Sequence, residues 1–221
     1  MKNIFNVLLL LFSSISCLSQ SKRNDDYKTF NIDTFNKNKK LISPIPLATD
    51  TLKRAILESY DIKKGDSLIH MEKYSAIGDY YKIVRNKIGG SSKIVNIYYP
   101  DNYRIKAQYR YFLQRPIGIH KTYSDPGELL KEVDYDKMTK DRGYVSILDV
   151  ATNMRKDFKI NIENESEILR IEAVKDENLN KVVYKIVCPP KYTGSGQLRG
   201  FIYDAVTGKF IEEWIFKWEM D

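Results

Sequence analysis

The sequence predicts an α+β protein that is mostly antiparallel β: a meander of β-hairpins, followed by a helix packed on a small antiparallel sheet. Three observations predict this class. A strand–turn–strand pattern occurs twice at a fixed spacing of 24 positions. Short runs of β-branched and aromatic residues alternate with turn residues over much of the chain. A single amphipathic segment with helical spacing interrupts the series of strands, which is typical of an α+β architecture.

The repeat consists of two segments, Ile97–Tyr111 and Lys121–Tyr135. Its equivalent positions pair Tyr99 with Tyr123, Asp101 with Asp125, Ile105 with Leu129, Gln108 with Glu132, and Tyr111 with Tyr135. A period of this size usually indicates stacked supersecondary units, here one hairpin per unit. The repeat therefore predicts a binding or structural scaffold in preference to an enzyme pocket.

Residues 1–19 have the pattern of a secretory signal peptide. Lys2 supplies a positive charge, Val7–Phe12 is an unbroken apolar run, and polar residues begin at Gln20. The run is too short to span a bilayer as a permanent helix. We expect cleavage before Gln20 and export to the periplasm or the extracellular space. The alternative is a lipid anchor on Cys17, which follows a poor lipobox. No later segment is apolar for long enough to predict a transmembrane helix.

The composition is that of a folded, basic protein. The chain of 221 residues is 43% hydrophobic and 29% charged, with a net charge of +7 that falls to +6 when Lys2 leaves with the signal peptide. The basic residues are dispersed, which indicates a solvated surface or attraction to an acidic partner or an anionic envelope surface. Nucleic acid is not an expected partner. Cys188 would be the one remaining cysteine, and we expect a buried thiol there.

Residues 20–49 are polar and lack periodicity, so we interpret them as a linker or extended arm. Within this arm, Tyr27, Phe30, Ile32 and Phe35 are candidates for an ordered edge that lies along a surface. After the arm, Leu52, Ala55, Ile56 and Tyr60 have helical spacing. That spacing predicts a short helix at Thr51–Tyr60.

Residues 50–138 are predicted to contain the hairpin meander. The expected strands are Tyr80–Arg85, Lys93–Tyr99, Tyr103–Phe112, Ile117–Tyr123 and Leu129–Tyr135. Turn residues separate them, and the short connections force antiparallel pairing of successive strands. In the last turn, Gly127 is suited to a positive φ, and the carboxylate of Asp125 is expected to cap the turn.

Residues 139–221 are predicted to form a second α+β unit, separated from the first near Met138–Gly143. Its helix is expected at Ser146–Phe158, with Ser146 as N-cap and Asp149 completing a near capping box. The strands that follow are predicted at Ile168–Val174, Lys181–Cys188, Leu198–Tyr203 and Lys209–Lys217. The helix can bury its apolar face on the sheet that these strands form.

The pattern Tyr123-x-Asp125-x-Gly127-x-Leu129-x-x-Glu132-x-x-Tyr135 resembles the MORN-like repeat of antitoxin and immunity-type proteins. The first copy departs from it, since Tyr103 stands in the glycine place and Gln108 in the glutamate place, which implies a weaker turn. The segment from Ser146 to Trp214 resembles a PepSY-like unit. The whole order resembles exported envelope proteins of Bacteroidota-type bacteria, and this resemblance implies inhibition of a partner protein.

No set of residues forms a recognisable catalytic or metal-binding motif, and His70 and His120 are the only histidines. The sequence therefore predicts a non-enzymatic exported binding protein without a cofactor. Its partner is expected to be another protein, which it would meet as an immunity or inhibitor factor; the alternative is a glycan- or cell-wall-associated binding module. The candidate binding residues are the aromatic Tyr98 and Tyr109 and the basic Arg104 and Lys106. Tyr99, Tyr111, Tyr123 and Tyr135 are expected to pack between hairpins.

Overall fold

The computed structural model describes residues 28–41, 55–75, 79–190 and 197–217. The predicted signal peptide, Cys17 with its alternative lipid anchor, and Tyr27 lie outside these residues. Within them, thirteen strands form two antiparallel sheets, and three α-helices lie outside the sheets. The predicted class, α+β with mostly antiparallel strands, is confirmed.

The first sheet contains nine strands. They are β1 (Lys40–Leu41), β2 (Ala55–Lys64), β3 (Ser67–Ser75), β4 (Tyr80–Lys87), β5 (Ser92–Tyr98), β6 (Ile105–Phe112), β7 (Arg115–Pro116), β8 (Ile119–Tyr123) and β9 (Leu129–Asp134). The second contains β10 (Arg170–Asp176), β11 (Lys181–Cys188), β12 (Gln197–Asp204) and β13 (Phe210–Lys217). Helix α1 (Ile32–Asn38) precedes the first sheet, and α2 (Tyr135–Asp141) and α3 (Ile147–Phe158) connect the two. Both sheets follow the chain order, with β7 paired only to the end of β6.

The two copies of the repeat form neighbouring hairpins, β5–β6 and β8–β9, joined through β6 and β8. Their turns lie side by side. The hydroxyl of Tyr99 donates to the carbonyl of Tyr123 at 2.8 Å, and the amide of Asn102 donates to the carboxylate of Asp125. Hydrogen bonds between equivalent parts of successive hairpins explain why the pattern recurs at a fixed spacing.

The same backbone conformation occurs in both turns. Gly127 has φ +96°, as predicted, and Tyr103 at the equivalent place has φ +59°. Such a conformation costs about 1–2 kcal/mol for a non-glycine residue. The Tyr103 carbonyl accepts from the Phe30 amide at 2.7 Å, and its ring lies 5.4 Å from that of Tyr81. Asp125 bonds to Asn102 in the first copy, and the turn at Gly127 is capped by the hydroxyl of Ser124, which accepts from the Glu128 amide at 3.1 Å.

Strand β3 is absent from the sequence-based prediction. Of the six positions of the repeat, the segment around the β3–β4 connection matches two, with Tyr74 and Gly78 in the places of Tyr123 and Gly127. The repeat pattern therefore gives only a weak signal for this hairpin, and residues 76–78 lie outside the described part of the chain.

The predicted helix at Thr51–Tyr60 is wrong: residues from Ala55 onward form strand β2, and residues 51–54 lie outside the described ranges. The strand pairs with β3, placing Tyr60 opposite Met71 and Ile62 opposite Ile69. Apolar and charged residues alternate from Tyr60 to Lys63, beyond the end of the expected helix. The pairing of a ten-residue strand with β3 outweighs the helical spacing of a few residues.

Residues 28–41 of the predicted arm follow the ordered-edge interpretation and not that of a linker. They contain helix α1 and strand β1, which pairs with β2. Phe30 and Phe35 are buried against the first sheet. The ring of Phe30 lies 4.6 Å from that of Tyr81 and 5.5 Å from that of Tyr98. The N-terminal segment therefore covers one end of one face of the first sheet, where its two phenylalanines form an aromatic core with Tyr81 and Tyr98.

Helix α3 begins where its capping residues predict. The Asp149 amide donates to the Ser146 hydroxyl at 3.2 Å, and the Asp149 carboxylate accepts from the Ser146 amide at 3.0 Å, which completes a capping box. Val150 and Met154 are fully buried in a core shared with the second sheet. Helix α2 was not predicted: Asp134 caps it, and Tyr135 starts this helix instead of ending a strand.

The two sheets share a core, although their strands separate on either side of the predicted boundary at Met138–Gly143. Phe112 and Ile117, which come from the β6–β8 part of the first sheet, are buried in the same cluster as Val150 of helix α3. The Ser91 amide donates to the Glu163 carbonyl at 2.8 Å, and the Ser91 hydroxyl donates to the Ile162 carbonyl at 2.7 Å. Apolar packing and backbone hydrogen bonds therefore join the two units.

We expect Phe112→Ala to destabilise the protein by about 3–5 kcal/mol, because it removes a buried ring from the shared core. Hydrogen exchange should accelerate in helix α3 as well as in β6. Urea unfolding and amide exchange measure the two effects. Ile119→Ala, at a half-exposed position on β8, is the control and should change stability by about 0.5 kcal/mol or less. Exchange that accelerates in β6 while α3 stays protected would contradict the shared core.

Gly200 lies opposite Trp214 on the neighbouring strand. A Cβ atom at Gly200 would be 2.1 Å from Cε2 of the Trp214 ring, so the indole packs directly on the glycine backbone. Gly200→Ala should therefore destabilise the second sheet by about 1–3 kcal/mol through overpacking. In a Trp214→Leu background the same substitution should cost much less, as measured by urea unfolding. An equal cost in both backgrounds would rule out the clash as the cause.

Candidate functional site

One face of the first sheet carries a row of alternating aliphatic and arginine side chains. The antiparallel registers place Ile69 of β3 opposite Arg85 of β4, Arg85 opposite Ile94 of β5, and Ile94 opposite Arg110 of β6. Residues directly opposite each other in adjacent strands point to the same side of the sheet. The four side chains therefore form one line across four strands, which we call the arginine row.

The arginine row forms the floor of a groove with a cavity volume of about 510 Å³. Five of the twelve lining residues are basic: Lys64, Arg85, Lys87, Lys93 and Arg110. None of the described lining residues is acidic. Lys64, Lys87 and Arg110 are exposed, while Ile69 and Ile94 between them are partly buried. The groove therefore combines a strongly positive potential with a partly apolar floor.

A second row of residues lies between the arginine row and the N-terminal segment with Phe30 and Phe35, and it closes one side of the groove at β3–β5. Met71, Ile83 and Asn96 lie in this row and are almost fully buried. The amide of Gln108 donates to the Asn96 side-chain carbonyl at 3.3 Å, and the Asn96 amide donates to the Tyr98 hydroxyl at 3.2 Å. These bonds hold the polar boundary between the aromatic core and the arginine row.

The row on the other side of the groove contains Lys64, Ser67 and Lys87, which lie opposite one another on β2, β3 and β4. The ammonium of Lys87 is 3.8 Å from the carboxylate of Asp66, and both side chains are largely exposed, so this ion pair is weak. The side chain of Lys93, next to Ile94 on β5, points to the opposite face of the sheet, where its ammonium lies 5.8 Å from the centre of the Tyr111 ring. The lysines that bound the groove are therefore Lys64 and Lys87, whose side chains are exposed.

A second cavity of about 720 Å³ continues from the first and shares Arg85 and Ile94 with it. It extends along the repeat turns and is also lined by Lys28 and Arg104. Arg104, a predicted binding residue, is exposed and donates from Nη1 to the Pro126 carbonyl at 3.3 Å. The structure therefore places one of the predicted basic residues beside the groove.

The prediction that Tyr98 forms an exposed binding surface is wrong. Tyr98 is fully buried under Phe30, which comes from the N-terminal segment. Tyr109 is partly buried and lies on the opposite face of the sheet, because it pairs with Val95, three residues before Tyr98. The two tyrosines therefore share no surface. Lys106 is exposed, with its ammonium 5.4 Å from the centre of the Tyr99 ring, and its binding role stays a prediction.

The tyrosines of the repeat pack as two sets. Tyr99 and Tyr123 meet at the turns, as described above, whereas Tyr111 and Tyr135 both contact the buried His120 ring, at 5.4 and 4.5 Å between ring centres. Tyr109 joins this second set at 5.2 Å from His120. His120 Nε2 donates to the Arg110 carbonyl at 2.7 Å. On the strands of the second copy, Lys121 and Glu132 form an ion pair at 3.1 Å.

His70 lies on the face opposite the arginine row, between two carboxylates. Its Nδ1 is 2.5 Å from Asp61 and its Nε2 is 2.8 Å from Glu72, while the ammonium of Lys82 is 2.5 Å from the other oxygen of Glu72. The hydrogen bond to Glu72, and then that to Asp61, raise the pKa of His70 above its ordinary value of 6.5, against the opposing effect of burial. This charged chain crosses β2, β3 and β4 and stabilises their pairing.

In the described part of the chain, no group of three or more His, Cys, Asp or Glu side chains is arranged to hold a metal ion. Nor does any helix in these ranges have the length and apolar character required to cross a membrane. Cys188 is buried in the core of the second sheet, as predicted.

Sequence reasoning did not identify Arg85, Arg110 or the lysines of the groove. No pattern within a single strand marks these basic residues as a site, because only the pairing of successive strands brings them together. The one local signal is an arginine at alternating, core-facing positions: Arg85 follows Tyr81 and Ile83 at steps of two, on the face that is otherwise apolar.

Comparison of the chain with protein-family models, with curated proteins and with solved structures finds no match.

The raised pKa of His70 predicts a pH-dependent stability. Protonated His70 donates to both carboxylates, so its stabilising effect is fully present below pH 6.5 and is lost as the pH rises through the raised pKa of the folded protein. We expect the difference in free energy of unfolding between the wild type and His70→Gln to shrink as the pH rises above 6.5. Urea unfolding over a pH series measures it. A difference that grows with pH would contradict the assignment.

Proposed function

We propose that the protein is an exported, non-enzymatic binding protein that holds an acidic segment of a partner protein in the groove above the arginine row. The observation that carries the proposal is the lining of the groove, with four basic side chains on the groove face (Lys64, Arg85, Lys87 and Arg110) and no acidic residue among the described lining residues. The resemblance to MORN-like immunity proteins supports an inhibitor or immunity role for this binding. The predicted signal peptide supports a location in the periplasm or outside the cell.

The electrostatics of the groove favour an acidic partner over a neutral one. Four positive side chains around one cavity raise the local concentration of an anionic ligand and speed its association. The aliphatic floor at Ile69, Ile94 and Ile117 adds apolar contact that a simple anion would not use. A protein segment that carries both carboxylates and apolar side chains matches both features.

The test is a pull-down with the purified protein, expressed from the full sequence, against envelope proteins and the products of neighbouring genes. We expect an acidic partner whose binding weakens with salt. Arg110→Glu and Lys64→Glu should each reduce the affinity at least about tenfold, or about 1.4 kcal/mol. Both side chains are exposed, so neither change should unfold the protein.

Matched controls are Arg142→Glu, at the C-cap of helix α2, and Lys156→Glu, on helix α3, which make the same charge changes at exposed positions outside the groove. They should leave the affinity unchanged apart from a small long-range effect. A partner that binds equally well to the groove variants and to the controls would refute the groove as its site. An anionic glycan recovered in place of an acidic protein would refute the partner class.

A second candidate function, binding of glycan or cell wall, is favoured by one observation: Tyr109, Tyr111 and Tyr135 surround His120 on the other side of the sheet. Aromatic rings with polar ends are suited to sugar contacts. This function predicts co-sedimentation with peptidoglycan that Tyr109→Ala weakens and Arg110→Glu leaves intact. The opposite pattern, or no sedimentation at low salt, would exclude this function.

A further inference from the structure

The side chains of the arginine row follow one another at a regular spacing, and the inference from this spacing rests on the proposed function of the groove. Neighbouring strands of a sheet are about 4.8 Å apart. Along the row, an aliphatic, a basic, an aliphatic and a basic side chain therefore follow one another at steps of about 4.8 Å, over a total of about 14 Å.

The cavity above the arginine row runs across the strands, from Ile69 on β3 to Arg110 on β6. Along β4, the residue next to Arg85 on the same face is Ile83 on one side, which is buried beneath the N-terminal segment, and Lys87 on the other. A ligand that followed β4 would therefore meet the buried Ile83 within one step, whereas along β6 the second cavity continues past Gln108 to Ile105. Across the strands, the path from Ile69 to Arg110 remains lined by one continuous cavity.

A helix matches this spacing better than an extended segment does. Successive turns of an α-helix are about 5.4 Å apart, close to the distance between strands. Same-face residues of an extended segment are about 6.6 Å apart, which gives about 20 Å over the three steps of the row. The helix needs about 16 Å, a difference that long arginine and glutamate side chains can absorb.

We propose that the ligand of the groove is an amphipathic acidic helix that lies across β3–β6. On its bound face, apolar and acidic residues alternate at successive turns, so that the apolar side chains contact Ile69 and Ile94, one carboxylate lies over the partly buried Arg85, and the other pairs with the exposed Arg110. Lys64 and Lys87 face the flank of this helix. The pattern of the partner is therefore apolar, acidic, apolar, acidic at i, i+4, i+7 and i+11.

Two synthetic helical peptides of identical composition test the proposal. One carries Leu, Glu, Leu, Glu at those four places, and the other carries Leu, Leu, Glu, Glu, with the remaining residues unchanged. Isothermal titration calorimetry with the full protein should show at least about tenfold tighter binding of the alternating peptide. Equal binding of both peptides would overturn the helix pattern and leave the acidic preference of the groove standing. If neither binds, the pattern is overturned as well, and the pull-down decides the proposed function independently.

A charge exchange fixes the register. The Arg110→Glu protein should bind the alternating peptide at least about tenfold more weakly. Replacement of the last glutamate of that peptide by lysine should restore binding to this variant and weaken binding to the wild type. Failure of this rescue in a variant with unchanged thermal unfolding would overturn the assignment of that turn to Arg110.

Discussion

The register of the nine-stranded meander is the constraint on which the rest of the structure depends. Side chains alternate between the two faces with a period of two, so a slip of one residue would exchange every inward for every outward residue. In the observed register, Tyr81 and Tyr98 face the N-terminal segment, and Arg85 and Arg110 continue the same face beyond it. The hydrogen bonds between the turns of the repeat, such as that from Tyr99 to Tyr123, hold this register at one end of the sheet.

The face of the first sheet that carries the arginine row has one end covered by the N-terminal segment and one open end. Phe30 and Phe35 close the aromatic end, and nothing in the described part of the chain covers the arginine row to the same extent. Ile117 links the open end to the second unit, since it lines the groove and is also buried in the core of helix α3. The second sheet therefore supports the groove through packing, and loss of the shared core should loosen the groove as well.

Features that depend on local sequence could be predicted, and features that depend on long-range pairing could not. Ser146 and Asp149 define the start of helix α3 within four residues, and Gly127 defines a turn by its own conformational freedom. The sequence predicts Tyr98 at the surface because no residue near it in the chain indicates that Phe30 covers it. The groove could not be predicted because its four floor residues come from four strands, and sequence patterns give the faces of a strand without its register.

Methyl NMR of isoleucine-labelled protein tests the central claim most directly, because isoleucines mark both the groove and the regions far from it. Addition of a glutamate-rich peptide should shift the methyl signals of Ile69, Ile94 and Ile117, which line the groove. The signals of Ile186, buried in the second sheet, and of Ile215, exposed on β13, should stay unchanged. Shifts confined to Ile215, or no shifts at peptide concentrations that saturate binding, would contradict a groove that binds acidic ligands above the arginine row.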